Sequence, residues 1–198
     1  MRCFSCDRLS IEPICKECQK DFLTPEMIEK EIGNLDVVSF FDYYLIVEFV
    51  KSKYISSGYR IYKFLAKKYF APFLKAYVEN IDCDKLYVIG VDENVDRGYS
   101  NVALLTHYST KKNKKAIALH NALKAKNRVQ YAGQSLEFRL ENPRDFIYNG
   151  PENIDAIIVD DTTTTGTTLE QAHRVLKKHN VNVHFALTLA NAREGMDY

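Results

Sequence analysis

Residues 154–169 constrain the fold of this chain more than any other segment. They begin with a short apolar run, continue with two adjacent acids, Asp160 and Asp161, and end in a hydroxyl-rich turn and a helical pattern. Two further apolar runs of similar length, residues 86–91 and 183–190, also alternate with helical patterns. This alternation is typical of parallel strands that are covered by helices on both faces. The sequence therefore predicts an α/β fold with a doubly wound parallel sheet.

The turn after the acidic pair is where a ligand is expected. Ligands of parallel sheets bind at the carboxyl ends of the strands, and the amides that start the following helix favour a phosphate. Gly166 allows the backbone to bend tightly around such an anion. The two carboxylates suit a pair of vicinal hydroxyls or a divalent cation. A ribose with a 5′-phosphate meets all of these requirements. The alternative is an ordinary strand followed by a capped helix.

Four of the five cysteines stand in the first eighteen residues as two C-x-x-C pairs. These cysteines are Cys3, Cys6, Cys15 and Cys18. In a cytosolic chain this spacing predicts a structural Zn²⁺ site with four thiolate ligands, because four sulfur ligands leave no open coordination position for catalysis. A redox pair and a chance arrangement are the alternatives. We expect the zinc element to cover residues 1–24.

Residues 25–80 are predicted to connect the zinc element to the main α/β domain, which we place at residues 81–198. A proline in the first turn predicts a short helix over residues 25–32. Alternating Val and Phe residues predict a strand over residues 36–43. Apolar positions at helical spacing predict a basic amphipathic helix over residues 59–77.

The sequence predicts a cytoplasmic protein. The most apolar stretch, residues 37–50, is interrupted by Asp42 and Glu48, so no run of 18 apolar residues can form a membrane-spanning helix. The N-terminus has neither an apolar core nor a small-residue cleavage site, and nothing in it indicates secretion. Peripheral attachment to the inner face of the inner membrane remains open.

The strand, acidic pair and turn resemble the type I phosphoribosyltransferase signature for phosphoribosyl pyrophosphate (PRPP), in which apolar residues and two acids precede Thr-Gly-x-Thr. The resemblance implies that Asp160 and Asp161 hold the ribose hydroxyls, and it allows Mg²⁺ to accompany PRPP. The residues that it assigns to the 5′-phosphate are Thr164, Thr165, Gly166, Thr167 and Thr168.

Nearly the whole chain resembles the ComF family, in which a four-cysteine zinc element precedes a phosphoribosyltransferase domain. The matching segments are Phe40-Phe41-Asp42-Tyr43 leading to Phe49-Val50-Lys51, Arg97-Gly98-Tyr99, and Arg139-Leu140-Glu141-Asn142 before Phe146. The resemblance implies a role in DNA uptake by naturally competent bacteria. It further implies that the protein handles incoming single-stranded DNA beside a helicase-like motor, and that Arg97 is placed to meet pyrophosphate.

Two departures from the pattern argue against transferase activity. Purine-salvage relatives often carry a carboxylate three residues after the second acid, whereas this chain has Thr164, which is no general base at neutral pH. The segment before Arg97 holds three acids, Asp92, Glu93 and Asp96, which we expect to repel pyrophosphate unless a metal ion intervenes. We assign no catalytic residue. An active phosphoribosyltransferase of nucleotide salvage is the alternative.

The net charge of +1 conceals an uneven distribution of charges. Residues 49–78 contain seven Lys or Arg, and residues 97–135 contain eight, with no acid in either stretch. Tyrosines lie among them, which favours contact with phosphates and unpaired bases. The candidate contacts are Lys63, Lys67, Lys111, Lys112, Lys114, Lys115, Lys124, Lys126 and Arg128. A solvated helix face with core tyrosines is the alternative, and the basic helix also suits anionic lipid or an acidic partner.

Overall fold

The computed structural model describes residues 1–95, 98–127 and 136–193. Its strands are β1 (Ile28–Ile32), β2 (Leu35–Asp42), β3 (Leu86–Gly90), β4 (Ala116–Ala118), β5 (Leu123–Ala125), β6 (Phe146–Tyr148), β7 (Asp155–Thr163) and β8 (Asn182–Asn191). Its helices are α1 (Lys16–Phe22), α2 (Tyr43–Lys51), α3 (Gly58–Leu65), α4 (Ala71–Glu79), α5 (Asn101–Thr110), α6 (Leu136–Glu141) and α7 (Thr167–Lys178).

Six strands form one sheet in the order β1-β2-β8-β7-β3-β4, and β5 and β6 form a separate two-stranded sheet. In the large sheet, β1 pairs with β2 in the antiparallel direction. The pairs β2–β8, β8–β7, β7–β3 and β3–β4 are parallel. The predicted α/β fold with a mostly parallel sheet is confirmed. Because β7 lies between β8 and β3, its carboxyl end opens between two parallel neighbours, where ligands of such sheets bind.

Helices cover both faces of the large sheet. On one face, α2 to α5 pack over an apolar cluster that includes Phe41, Leu65 and Leu105. On the other face, α7 and the small sheet pack over a cluster that includes Ile158 and Leu169. Full burial of one such side chain stabilises the fold by roughly 1.5–3 kcal/mol. The strand β7 is therefore packed against an apolar cluster on each of its two faces.

The predicted basic helix over residues 59–77 is confirmed as one continuous helical segment. A π-helical turn, Ala66–Phe70, joins α3 to α4. The turn stands directly before the first turn of α4, where Pro72 has no backbone N–H to donate. Among the described residues, no helix combines the length and the apolar character needed to cross a bilayer.

The helix predicted over residues 25–32 is wrong, because its second half forms the edge strand β1. Apolar and charged residues alternate in Ile28-Glu29-Lys30-Glu31-Ile32, which is the period of a strand. A two-residue turn then connects Ile32 to Leu35, and Gly33 adopts the positive φ (+61°) that such a turn requires. The proline favoured a helix start locally, but pairing with β2 provides the hydrogen bonds that decide the structure.

The cysteine-containing N-terminal segment packs on the helical elements that cover one face of the large sheet. The Phe49 ring of α2 lies 6.0 Å from the Phe4 ring and 6.3 Å from the Phe22 ring, measured between centroids. The Tyr69 hydroxyl donates to the Leu23 carbonyl at 2.6 Å. The domain boundaries that we expect near residues 24 and 80 stay predictions, since the apolar cluster on this face includes residues from all three parts.

Candidate functional site

The acidic pair and the turn after it lie at the carboxyl end of β7. The strand continues to Thr163, so that Asp160 and Asp161 are its sixth and seventh residues. Residues 164–168, which we call the threonine turn, connect β7 to α7. Gly166 is the N-cap of α7 and adopts φ +81°, a left-handed conformation that favours glycine. A Cβ atom at Gly166 would lie 1.9 Å from Ile32 Cδ1, so packing against β1 also requires glycine.

The threonine turn brings together the five residues that the sequence predicts for a phosphate. Thr165 Oγ1 lies 2.8 Å from Thr167 Oγ1 and accepts from the Thr167 amide at 3.3 Å. Lys30 Nζ donates to the Thr164 carbonyl at 2.6 Å, which ties the turn to β1. Because Gly166 has no side chain, no N-cap side chain accepts from the first-turn amides of α7. The geometry suits an anion, and the assignment of these residues to phosphate stays a prediction.

The two acids of the pair have different surroundings. Asp161 is 7% exposed, and its Oδ2 atom accepts from Lys53 Nζ at 2.7 Å and from Asn101 Nδ2 at 2.7 Å. The Tyr62 hydroxyl lies 3.4 Å from the same oxygen. Asp161 Oδ1 accepts from the Thr162 hydroxyl at 3.1 Å. Both oxygens of Asp161 therefore have donors from the protein.

Asp160 is partly buried, and its Oδ1 atom accepts from the Asp161 amide at 2.7 Å. Burial and then the neighbouring negative charge of Asp161 raise the pKa of Asp160 well above its usual range. Burial alone would also raise the pKa of Asp161, but the Lys53 ammonium outweighs it and lowers that pKa below the usual value. The carboxyl group of Asp160 thus accepts fewer hydrogen bonds from the protein than that of Asp161.

Lys53 reaches the pair from a 3₁₀ turn, Ser52–Tyr54, that follows α2. The Tyr99 hydroxyl lies 3.0 to 3.3 Å from the carbonyl oxygens of Ser52, Lys53 and Ile55. This contact gives the tyrosine of the Arg97-Gly98-Tyr99 motif a structural role, because it holds the turn that carries Lys53. The lysine quoted for the family resemblance, Lys51, is exposed instead.

No sequence pattern predicted that Lys53, Tyr62 and Asn101 belong to this site. Lys53 counted only toward the basic stretch over residues 49–78, and no local pattern relates it to an acid 108 positions away. The motif that ends in Tyr99 was the available signal, since it marked a loop that contacts the Lys53 turn.

The acidic loop after β3 does not present free carboxylates at Asp92 and Glu93. Glu93 is 7% exposed, and its carboxylate accepts from the Thr106 hydroxyl at 2.7 Å and from the Asn121 amide at 2.9 Å. His120 Nδ1 lies 3.0 Å from the same carboxylate. Asp92 Oδ1 accepts from the Ala125 amide at 3.1 Å. These two acids therefore hold the loop in place, and the expected repulsion of pyrophosphate by this loop stays a prediction.

The four N-terminal cysteines lie close enough together to hold a metal ion. All four Sγ atoms lie within 4.8 Å of one another, and Cys6 Sγ is 3.6 Å from Cys15 Sγ. Tetrahedral ligands at a Zn–S distance of about 2.3 Å are about 3.8 Å apart. Burial would raise the pKa of Cys3, but backbone N–H groups that include that of Cys15 lower it to about 6, which favours the thiolate. Burial raises the pKa of Cys18 to about 12.

Three of the predicted DNA-contacting lysines gather around one tyrosine. Lys63 Nζ, Lys67 Nζ and Lys111 Nζ lie 5.2, 5.3 and 5.6 Å from the centre of the Tyr108 ring. The Tyr59 and Tyr108 hydroxyls are 2.9 Å apart. We call these five residues the lysine–tyrosine cluster. Among the residues that the structure describes, its three ammonium groups form no ion pair.

Those of the other candidate DNA contacts that the structure describes do not join this cluster. Lys112 and Lys114 are exposed in the turn after α5, and Lys115 Nζ donates to the Ile81 carbonyl at 2.8 Å. Lys124 and Lys126 are exposed on and next to β5. Arg97 and Arg128 lie outside the described residues.

No protein-family model matches the chain, and no curated protein sequence matches it. Among solved structures, it is similar to a hypoxanthine phosphoribosyltransferase from Staphylococcus aureus, with 16% identity, a TM-score of 0.41, and 66% of this chain and 62% of that one covered. An adenine phosphoribosyltransferase from Saccharomyces cerevisiae has 14% identity, a TM-score of 0.42, and 88% and 87% covered. An orotate phosphoribosyltransferase from Aeropyrum pernix has 15% identity and a TM-score of 0.35, and the match covers 88% of this chain and 80% of that one. Likeness at this level does not identify a ligand.

Proposed function

We propose that this protein binds a phosphoribosyl compound, PRPP or a related ribose phosphate, at the carboxyl end of β7. The observation that carries the proposal is the threonine turn, in which the N-cap residue Gly166 is left-handed and supplies no capping side chain. A phosphate there meets amide donors and the positive end of a twelve-residue helix. Asp160 stands at the end of the same strand and accepts from the ribose hydroxyls.

The pocket serves binding or regulation in this proposal, and not phosphoribosyl transfer. The position where salvage enzymes often carry a base is Thr164, whose hydroxyl does not take up a proton at neutral pH. Its carbonyl is already bonded to Lys30. An active phosphoribosyltransferase of nucleotide salvage is therefore the alternative function.

The wider role that we propose is that of a ComF-like protein that handles incoming single-stranded DNA during natural transformation. The order of a four-cysteine element followed by an α/β domain with a PRPP-like signature supports it. In this proposal the cysteines hold Zn²⁺, which cross-links the N-terminal segment. The protein acts in the cytoplasm, at the inner face of the inner membrane, with a helicase-like uptake motor as partner.

The lysine–tyrosine cluster is the surface that we propose for single-stranded DNA. Three ammonium groups that form no ion pair with any residue described in the structure attract phosphates, and the Tyr59 and Tyr108 rings offer faces for unpaired bases. Tyr59 is 37% exposed, so its ring is accessible. The buried Tyr62 and Tyr69 belong to the core instead.

Calorimetric titration with PRPP and with ribose 5-phosphate tests the sugar-phosphate site. Asp160→Ala is expected to weaken binding by at least about tenfold, which corresponds to 1.4 kcal/mol, because the ribose loses its acceptor. Glu152→Ala is the matched control, since this acid is exposed on the loop before β7. Equal affinities of the wild type and of a folded Asp160→Ala variant would contradict the proposed site.

A further inference from the structure

We propose that the pocket takes its sugar phosphate without a divalent cation, because the Lys53 ammonium holds the position at the acidic pair that Mg²⁺ would need. The inference rests on the proposed phosphoribosyl site and narrows its ligand. It departs from the expectation that Mg²⁺ accompanies PRPP.

The oxygens of Asp161 are not available to a metal ion. Lys53 and Asn101 both donate to Oδ2 at 2.7 Å, and the Thr162 hydroxyl donates to Oδ1. Mg²⁺ requires near-octahedral oxygen ligands at 2.0–2.1 Å and gives up its water reluctantly. To bind Asp161 it would have to displace donors around a carboxylate that is 7% exposed.

The charge at the pair also disfavours a second cation. The Lys53–Asp161 ion pair neutralises one carboxylate, and Asp160 already accepts from the Asp161 amide. A Mg²⁺ ion bound to Asp161 would lie within a few ångströms of the Lys53 ammonium, and like charges at such distances repel strongly. Without Asp161, the pair offers a divalent cation a single carboxylate, that of Asp160.

Lys53 is held in this position by the fold. Its turn is fixed by the Tyr99 hydroxyl, and its side chain is 25% exposed. A Cβ atom at Gly58 would lie 2.0 Å from the Ser52 carbonyl oxygen and 2.3 Å from the Tyr99 hydroxyl, so Gly58 packs closely against both the turn and Tyr99. The surrounding structure therefore places the Lys53 ammonium at the acidic pair.

The ligand class follows from this arrangement. A ribose 5-phosphate group needs hydroxyl acceptors and phosphate donors, which Asp160 and the threonine turn supply without a metal. A pyrophosphate at the first carbon of the ribose carries more negative charge and normally binds as a Mg²⁺ complex. We therefore expect ribose 5-phosphate to bind as well as or better than PRPP.

Binding of ribose 5-phosphate with and without millimolar Mg²⁺ tests the inference. Metal-depleted buffer without chelator is used, so that the cysteine site keeps its metal. The wild-type affinity should change by less than about twofold, whereas Lys53→Gln should bind at least about tenfold more tightly with Mg²⁺ than without it. Lys53→Arg should retain the wild-type behaviour, and Lys75→Gln, which removes an exposed lysine of α4, is the matched control. Wild-type binding that requires Mg²⁺ would overturn the inference.

Titration with Mn²⁺ alone, followed by electron paramagnetic resonance, separates this inference from the proposed function. Lys53→Gln should bind one additional Mn²⁺ relative to the wild type, and adding Asp161→Asn should abolish that binding. No additional Mn²⁺ in Lys53→Gln would overturn the role of Lys53. If no variant binds ribose 5-phosphate, the proposed pocket and its ligand fail, while the Mn²⁺ result still decides whether Lys53 excludes a cation.

Discussion

The cysteine site and the acidic-pair site are assembled in opposite ways. In the cysteine site, all four sulfur atoms come from one segment of sixteen residues, Cys3 to Cys18. The surroundings of Asp161 come from a 3₁₀ turn, α3 and α5, through Lys53, Tyr62 and Asn101. In the proposal that the cysteine site holds Zn²⁺, the segment around it depends mainly on that metal, although Cys3, Ile14 and Leu23 also join one apolar cluster. The second site is supported by both apolar clusters. The comparison indicates that metal loss should unfold one region and leave the other intact.

Removal of the metal is expected to have the largest effect. Structural Zn²⁺ in small modules contributes about 10–16 kcal/mol of apparent binding free energy at pH 7. Cys15→Ser should abolish one equivalent of zinc per chain and expose residues 1–24 to protease, while residues 136–193 stay protected. Metal analysis and limited proteolysis measure both. A metal-free protein whose first 24 residues remain protected would contradict the comparison.

Loss of Asp161 should have the next largest effect on stability. Asp161→Ala leaves the Lys53 ammonium partly buried without its partner, and removing one member of a buried pair costs about 3–5 kcal/mol. Urea unfolding at neutral pH measures the cost. Because the folded pKa of Asp161 is lowered, its contribution is present above the ordinary pKa near 4 and is lost as pH falls through the folded value.

Asp160→Asn is the matched control for that prediction, and the expected sign is opposite. The raised pKa of Asp160 means that its contribution is present below about pH 4 and is lost as pH rises through the folded value. The asparagine variant should therefore be more stable than the wild type at neutral pH, and the difference should vanish in acid. Equal destabilisation by both substitutions would show that the two acids share one environment.

Sequence patterns predicted those features whose parts are consecutive in the chain. The apolar run, the acids and Gly166 belong to one segment, and the four cysteines belong to another. The partners of Asp161 depend on how α3 and α5 pack, which no local spacing reports. The strand β1 was missed because the proline rule outweighed a visible alternation and a Gly-Asn turn at Gly33. The support that Ile32 gives to Gly166 was therefore not expected.

Substitution of Gly166 should have a smaller effect on stability. Gly166→Ala adds a methyl group against Ile32 and places alanine at φ +81°, which should cost about 1–3 kcal/mol and weaken phosphate binding. Gly98→Ala is a useful control, because Gly98 has a similar φ of +88° with no heavy atom within 4 Å of the added Cβ. Thermal unfolding compares the two. Equal losses would show that the contact with β1 is unimportant.

The smallest effect concerns the lysine–tyrosine cluster, since lysines that are exposed or only partly buried contribute little to folding. Replacing Lys63, Lys67 and Lys111 with Gln should reduce the salt dependence of single-stranded DNA binding by about 0.7 per lysine in the slope of log K against log salt. Replacing Lys115, Lys124 and Lys126, which lie elsewhere, should change it less. The same slope in both triple variants would remove the cluster as the proposed contact surface.

The most direct test of the central claim is nuclear magnetic resonance of the ¹⁵N-labelled, zinc-loaded chain titrated with ribose 5-phosphate. The account predicts saturable shifts of the Gly166, Thr167 and Thr168 amides, with the largest changes at the start of α7. Resonances of residues 1–24 should remain in place. Saturable binding that leaves the threonine turn unshifted, or no binding at millimolar sugar phosphate, would contradict it.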